Sequence, residues 1–226
     1  MKKKIYLFII LLFSTSTFAH TDHYKGIVKI EMDVFRNGKI IGYSNYFFDH
    51  VDKKMTVKNY TKLKVELFGV DVFSILSEAI EVYEDEKLIN FKSNTLQNKK
   101  EKYVNLNYDD KEKKFIIDGS SYKGKADLDC VIGNWWNHKI LKAKKQISPL
   151  SGSIKEQVVS FVKNETLIIN GKSYSADHYR LKSKNENLPD DKKLNFDIWL
   201  GKKNNLILKV KYKKMGEWEY KLKDFK

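Results

Sequence analysis

The chain is poor in the residues that staple or stiffen small proteins. It contains one cysteine, Cys130, and two prolines, Pro149 and Pro189, in 226 residues. One cysteine excludes an intramolecular disulfide, so the chain is not a disulfide-rich scaffold. Arginine is scarce too, because only Arg36 and Arg180 are arginines among 43 basic residues. Nucleic-acid surfaces normally use arginine for bidentate contacts to phosphate and guanine, so we expect no nucleic-acid partner.

A long apolar run occurs only near the N-terminus. Three lysines at positions 2–4 precede an apolar run over 5–13, and a more polar segment then ends at Ala19. This order is typical of a secretory signal peptide over 1–19, and a flexible N-terminus over 20–23 would follow it. The run is shorter than the ~20 residues of a membrane-spanning helix, so no transmembrane segment is expected after cleavage. We therefore expect an exported protein, in the periplasm of a Gram-negative bacterium.

Alternation of apolar and polar residues dominates the rest of the chain. Apolar side chains recur at every second position in 28–34, 63–67, 206–212 and 218–222, which is the pattern of a half-buried β-strand. Shorter candidate strands lie at 40–48, 80–84, 87–95, 102–108, 113–117, 154–162, 165–169, 173–182 and 194–200. Asn-Gly pairs at 37–38 and 170–171 predict tight hairpins between neighbouring strands.

About a dozen short strands joined mostly by hairpins predict an antiparallel meander, and a sheet of that length curls to protect its edges. The sequence therefore predicts a mainly β fold with one domain over 24–226. We expect a single antiparallel, strongly curved sheet that forms an open or half barrel. Two segments depart from the alternation. Asn134 is expected to cap a short helix near 134–142 that plugs or covers the open mouth, and 73–79 is expected to hold a turn of helix.

Catalytic and metal-binding motifs are sparse. No Gly-x-Ser-x-Gly elbow or zinc-protease motif occurs. Ser175, Asp177 and His178 are close in sequence, but a strand directs neighbouring residues to opposite faces, so their adjacency does not make a triad. We therefore expect a protein that is not an enzyme and has no cofactor. Cleavage after Ala19 would give His20 a free α-amine beside its imidazole, with His23 nearby. This pair is a weak alternative site for copper, against the simpler interpretation of a flexible end.

Tryptophans are the candidate ligand-binding residues. Trp135, Trp136 and Trp199 inside a curved sheet could line an apolar cavity, and the same rings could equally fill a packed interior. Both interpretations remain open at this point. A cavity predicts a binder of a lipid or another lipophilic ligand. A packed core predicts a structural or interaction module of the envelope, which binds another envelope protein through its lysine-rich surface.

Several motifs recur in an order that resembles a known family. They are the first strand with its Asn-Gly turn, Leu67-Phe68-Gly69, Trp135-Trp136-Asn137, Leu150-Ser151-Gly152 and the segment 176–181. From about residue 24 to 222 the chain resembles an uncharacterised family of exported bacterial proteins, the domain-of-unknown-function family 6134. That family is similar to periplasmic open β-barrels, among which lipoprotein carriers hold acyl chains. The resemblance implies a curved sheet and, by analogy of fold, a non-enzymatic binder or carrier of a lipophilic cell-envelope component. On this basis Asn137 joins the three tryptophans as a candidate ligand-binding residue.

Overall fold

The structure, a computed structural model, describes residues 24–226. The predicted signal peptide over 1–19, the predicted flexible N-terminus over 20–23 and the alternative copper site at His20 and His23 lie outside these residues.

Within the described residues, fifteen strands form one sheet. The strands of the first half are β1 (Lys29–Arg36), β2 (Lys39–Val51), β3 (Lys54–Leu67), β4 (Val70–Glu84), β5 (Lys87–Gln97), β6 (Lys100–Asp109), β7 (Lys114–Gly119) and β8 (Lys123–Ala126). Those of the second half are β9 (Cys130–Ile132), β10 (Lys145–Ile147), β11 (Ile154–Ile169), β12 (Lys172–Ser183), β13 (Asn195–Gly201), β14 (Ile207–Lys213) and β15 (Glu217–Phe225).

The sheet runs from β8 back to β1, continues through β15, and then runs back down to β9. The first and last strands therefore pair at its centre, and the sheet curls into a nearly closed barrel whose edges are β8 and β9. Neighbouring strands are antiparallel except β9 and β10, which are parallel. The prediction of a purely antiparallel sheet was wrong at this point. No hairpin joins β9 to β10, since the chain crosses the interior between them and returns in the same direction.

Alternation in the sequence forms strands as predicted, with one segment misassigned. In β1, the side chains of Ile30, Met32 and Val34 are buried while their neighbours are only half-buried. Residues 73–79, which were expected to hold a turn of helix, lie within β4. The inward face of β4 mixes polar residues such as Ser77 and Glu81 with apolar ones, and its outward face carries exposed apolar residues such as Leu76, so the usual contrast between the faces is lost.

The segment between β9 and β11 enters the barrel and fills one end of it. The helix predicted near 134–142 is a 3₁₀ helix over His138–Leu141, and its N-cap is Asn137 instead of Asn134. The Oδ1 atom of Asn137 accepts a hydrogen bond from the backbone N–H of Lys139 at 3.0 Å. Farther along the same segment, the chain passes very close to β7 at Gly119. A Cβ atom at Gly119 would lie 2.7 Å from the carbonyl oxygen of Ser151, so this close approach is possible only because position 119 is glycine.

Candidate functional site

The barrel interior is open at the end opposite the filled one and contains a cavity of about 880 Å³. Its walls are inward faces of β2–β5 and of β13–β15, and residues 133–135 lie at its floor. Residues 146–150 line it farther up, where Leu150 packs against the buried cluster that includes Leu63 and Ile75. Ligand sites in proteins typically measure about 300–1,000 Å³. The curved sheet therefore encloses a space of ligand size instead of a completely packed core.

Cross-strand pairing arranges the wall of β2–β5 in rows at successive depths. Four such rows follow one another toward the opening. The deepest contains Phe48, Val57, Glu81 and Phe91, and the next contains Tyr46, Asn59, Ala79 and Ser93. The third contains the hydroxyl residues Ser44, Thr61, Ser77 and Thr95, and the one nearest the opening contains Gly42, Leu63, Ile75 and Gln97. Polarity thus changes along the barrel axis, because each row comes from equivalent inward positions of adjacent antiparallel strands.

A polar belt, which we define as Ser44, Asn59, Thr61 and Ser77, lines the β2–β4 wall of the cavity at its middle depth. The hydroxyls of Ser44 and Thr61 are 2.8 Å apart, and the Asn59 side chain donates to Ser44 at 3.1 Å. The hydroxyl of Ser77 forms a hydrogen bond of 2.6 Å with that of Thr95. The belt combines hydroxyl and amide groups, so it can both donate hydrogen bonds to a polar ligand group and accept them from it.

Glu81 lies at the base of the cavity and is almost completely buried. Its Oε1 accepts hydrogen bonds from Asn134 Nδ2 at 2.6 Å and from Trp136 Nε1 at 2.9 Å, and its Oε2 accepts one from the Tyr83 hydroxyl at 2.7 Å. Burial raises the pKa of the Glu81 carboxyl to about 7, against the three hydrogen bonds, which lower it. The base of the cavity therefore holds an acid that gains or loses its proton near neutral pH.

Above the polar belt the cavity becomes apolar. We define the apolar collar as Leu63, Val65, Phe73 and Ile75, and the Phe73 ring packs edge-on against Trp218 of β15 at 5.3 Å. Leu63, Val65 and Ile75 are buried in one cluster with Trp218, so the cavity has hydrogen-bonding groups at depth and a layer of buried apolar side chains nearer the opening. This order fits a ligand whose polar group enters first and whose apolar part remains in the collar.

Three of the four predicted site residues lie together at the floor, in different roles. Trp135 lines the cavity and packs against Phe196 at 5.1 Å. Trp136 is buried below it, in edge contact with Tyr24 and Phe48. Asn137 is buried and caps the 3₁₀ helix. Trp135 is thus the one of the three that lines the cavity, while Trp136 and Asn137 hold the floor in place.

Trp199 lies apart from this group and is not among the residues lining the cavity. Its ring stacks on His178 at 4.4 Å, and its Nε1 donates to Glu165 at 2.6 Å. His178 Nε2 is also 2.8 Å from a carboxylate oxygen of Asp197. These contacts give Trp199 and His178 a structural role between strands β11, β12 and β13. No three His, Cys, Asp or Glu side chains between residues 24 and 226 are grouped so as to hold a metal ion.

Glu81, Asn134 and the polar belt were missed at the sequence level. A usable signal was present, because Ser77 and Glu81 share their strand parity with the buried residues Ala79 and Tyr83. A carboxyl and a hydroxyl on the inward face of a strand are uncommon in a packed core, since burying them without partners is costly. The signal was obscured because β4 had not been recognised as one continuous strand.

Two solved structures are similar to this one. A β-barrel-like protein of the domain of unknown function DUF1849 from Brucella abortus is 10% identical, with a TM-score of 0.58, over 88% of this chain and 96% of that chain. A protein with a YmcC-like fold from Bacteroides fragilis is 14% identical over 88% of this chain and 94% of that chain, with a TM-score of 0.36. The first likeness supports the barrel-like fold and nothing further, since sequence identity is low.

No curated protein matches the sequence. Between residues 24 and 226, none of the helices has the length and hydrophobicity that a membrane span requires.

The sequence matches the family described as domain of unknown function DUF6134 over residues 32–223. The match begins in β1 and ends in β15, so it includes the polar belt, Glu81 and the floor of the cavity. The resemblance inferred from the sequence motifs is confirmed, and the chain belongs to the DUF6134 family.

Proposed function

We propose that this protein is a non-enzymatic binder or carrier of an amphiphilic component of the cell envelope. The observation that carries the proposal is the cavity of about 880 Å³, with its polar belt at depth and its apolar collar at the opening. An amphiphile would place its polar group against the belt and Glu81, and its hydrocarbon part against the collar and Trp135. Each methylene group removed from water contributes about 0.8 kcal/mol, so even a short chain in the collar favours binding.

Binding is preferred to catalysis because the hydroxyls of the cavity are already paired with one another. Ser44 is bonded to Thr61 and Asn59, and Ser77 is bonded to Thr95. A catalytic serine or threonine needs a neighbouring base that takes its proton. Here the partners are other hydroxyls and an amide, which recognise a ligand without activating a nucleophile.

Location outside the cytoplasm is part of the proposal. It is supported by the signal-peptide pattern over 1–19, whose basic start and short apolar run direct a chain to export. An exported carrier with a ligand cavity has access to the lipids and lipid-linked components of the envelope.

The test is purification of the protein from its native envelope, followed by solvent extraction and mass spectrometry of any bound molecule. Two neighbouring substitutions in β4 provide the comparison. Ile75→Trp places a bulky ring in the collar, whereas Leu76→Trp places the same ring on the exposed outer face of the strand. We expect the natural protein and Leu76→Trp to carry an amphiphile in stoichiometric amount, and Ile75→Trp to carry much less.

Two results would overturn the proposal. One is a natural protein that carries no molecule out of the envelope. The other is an Ile75→Trp variant, shown to be folded by circular dichroism, that carries as much as Leu76→Trp. Either result would favour the alternative of a structural or interaction module.

A further inference from the structure

Hairpin turns with exposed apolar side chains surround the opening of the cavity. Phe68 is fully exposed at the turn between β3 and β4, and Met215 is 87% exposed between β14 and β15. Ile40, which follows the turn between β1 and β2, is 64% exposed. Antiparallel pairing brings these three turns to one end of the barrel. The β1–β2 and β14–β15 turns are joined there, because the side chain of Asn37 accepts a hydrogen bond from the backbone N–H of Glu217.

Two of these turns place a bulky apolar residue in a backbone conformation that is unfavourable for it. In the described part of the chain, Phe68 and Met215 are the apolar residues with positive φ angles, both at 51°. Bulky side chains are unfavourable there, and asparagine, aspartate or glycine is the usual choice. The hairpin at Asn37-Gly38 has nearly the same geometry, with φ angles of 49° and 78°. Phe68 and Met215 thus occupy strained positions although their side chains bury little surface within the chain.

These apolar tips are continuous with the cavity. Leu67 and Val72, which flank the Phe68 turn, are exposed to solvent and also line the cavity, as does Met215 itself. A molecule leaving the collar would therefore pass directly onto the side chains that protrude from the rim. Residues that break a local rule in this way are typical of functional sites, where a stability cost is tolerated for binding.

Basic side chains accompany the tips. Lys39 precedes Ile40, and Lys213 and Lys214 precede Met215. In the β3–β4 hairpin Lys64 contacts both Glu66 and Asp71, at 3.0 Å for Asp71, and so offsets one of their two negative charges. Separate apolar tips among lysines are suited to a surface that is soft, apolar below its head groups and negatively charged.

We propose that this rim docks the protein onto an anionic lipid bilayer, with Phe68, Met215 and Ile40 inserted among the lipids. The inference rests on the proposed function, because docking here would place the opening of the cavity against the source or destination of its amphiphilic ligand. The occupant of the rim is the bilayer itself, and the lysines supply attraction to its negative head groups.

The test is cosedimentation of the delipidated mature protein with mixed phosphatidylethanolamine and phosphatidylglycerol vesicles. The double variant Phe68→Asn, Met215→Asn replaces both tips with a residue suited to positive φ, so folding is preserved. We expect the double variant to partition onto the vesicles at least about tenfold more weakly than the natural protein. Burial of one phenyl ring among lipids is by itself enough to strengthen binding by that factor. Ile168→Asn, which removes an exposed apolar residue at the opposite end of the barrel, is the matched control and should bind vesicles normally.

Uptake of a fluorescent acyl probe without vesicles separates this inference from the proposed function. The double variant should still take up the probe like the natural protein. Equal sedimentation of the double variant and Ile168→Asn, or no sedimentation of the natural protein, would overturn docking even with probe uptake intact. A natural protein that self-associates in ultracentrifugation and becomes monomeric in the double variant would assign the rim to a second copy instead, which also contradicts the proposal.

Discussion

At the residue scale, Glu81 shows how the fold changes the chemistry of one carboxyl group. Three donors, from Tyr83, Asn134 and Trp136, occupy its oxygens, yet burial raises its pKa to about 7 from an ordinary value of 4.5. Desolvation outweighs the hydrogen bonds because the charged form loses the whole solvation of bulk water. The group therefore binds its proton more tightly in the folded protein than in the unfolded chain.

This shift predicts a stability that falls with rising pH. The contribution of Glu81 is fully present below pH 4.5 and decreases as the pH rises from there through about 7, by up to about 3 kcal/mol in the free energy of unfolding. Glu81→Gln should remove this part of the pH dependence. Urea denaturation of both proteins between pH 4.5 and 8 measures the difference. Parallel pH profiles for the two proteins would show that Glu81 is not buried as described.

Replacement of Trp136 should mainly lower stability, whereas replacement of Trp135 should mainly weaken ligand binding. Trp136→Ala removes a buried ring and leaves Glu81 without one donor, so stability should fall by about 3–5 kcal/mol. Trp135→Ala removes a half-buried ring at the cavity wall, so the loss of stability should be smaller and the uptake of an acyl probe should weaken. Urea denaturation and probe titration distinguish the two effects. A larger loss of stability for Trp135→Ala would contradict the assigned roles.

At the scale of elements, alternation predicted the strands well where one face is apolar and the other polar. The pattern over 28–34 corresponds to β1, and the Asn-Gly pairs at 37–38 and 170–171 do lie in hairpin turns. The same pattern failed in β4, whose inward face is partly polar because it lines the cavity. The short helix was placed in the right region, but its cap was assigned three residues early because Asn134 and Asn137 are equally good caps by sequence.

At the turn between β3 and β4, the substitution that should weaken membrane docking should also stabilise the fold. Phe68 adopts a φ of 51° with its ring in solvent, where a bulky residue costs about 1–2 kcal/mol. Phe68→Asn should therefore raise the free energy of unfolding by about 1 kcal/mol. Chemical denaturation without lipid measures this change, and Asn37, which has the same backbone conformation in another turn, provides the precedent. A variant that is less stable than the natural protein would mean that the ring makes stabilising contacts.

At the scale of the whole molecule, the curved barrel-like sheet could be predicted because strand period and hairpin turns are local properties. The parallel pair β9 and β10 could not, since it depends on the chain crossing the interior between them. The same holds for the candidate site. Trp135 was accessible from sequence as an aromatic residue in an irregular segment, whereas Glu81 meets Asn134 only through contacts between distant parts of the chain. Trp199 was grouped with the other tryptophans by residue type alone, and its position in β13 keeps it out of the cavity lining.

The central claim is that the barrel interior is a binding cavity and not a packed core. Titration of the delipidated mature protein with a fluorescent acyl probe tests this most directly. We expect saturable uptake of one probe per protein molecule, displaced by a lipid extract of the native envelope. Absence of saturable uptake by protein that is shown to be folded would contradict the claim.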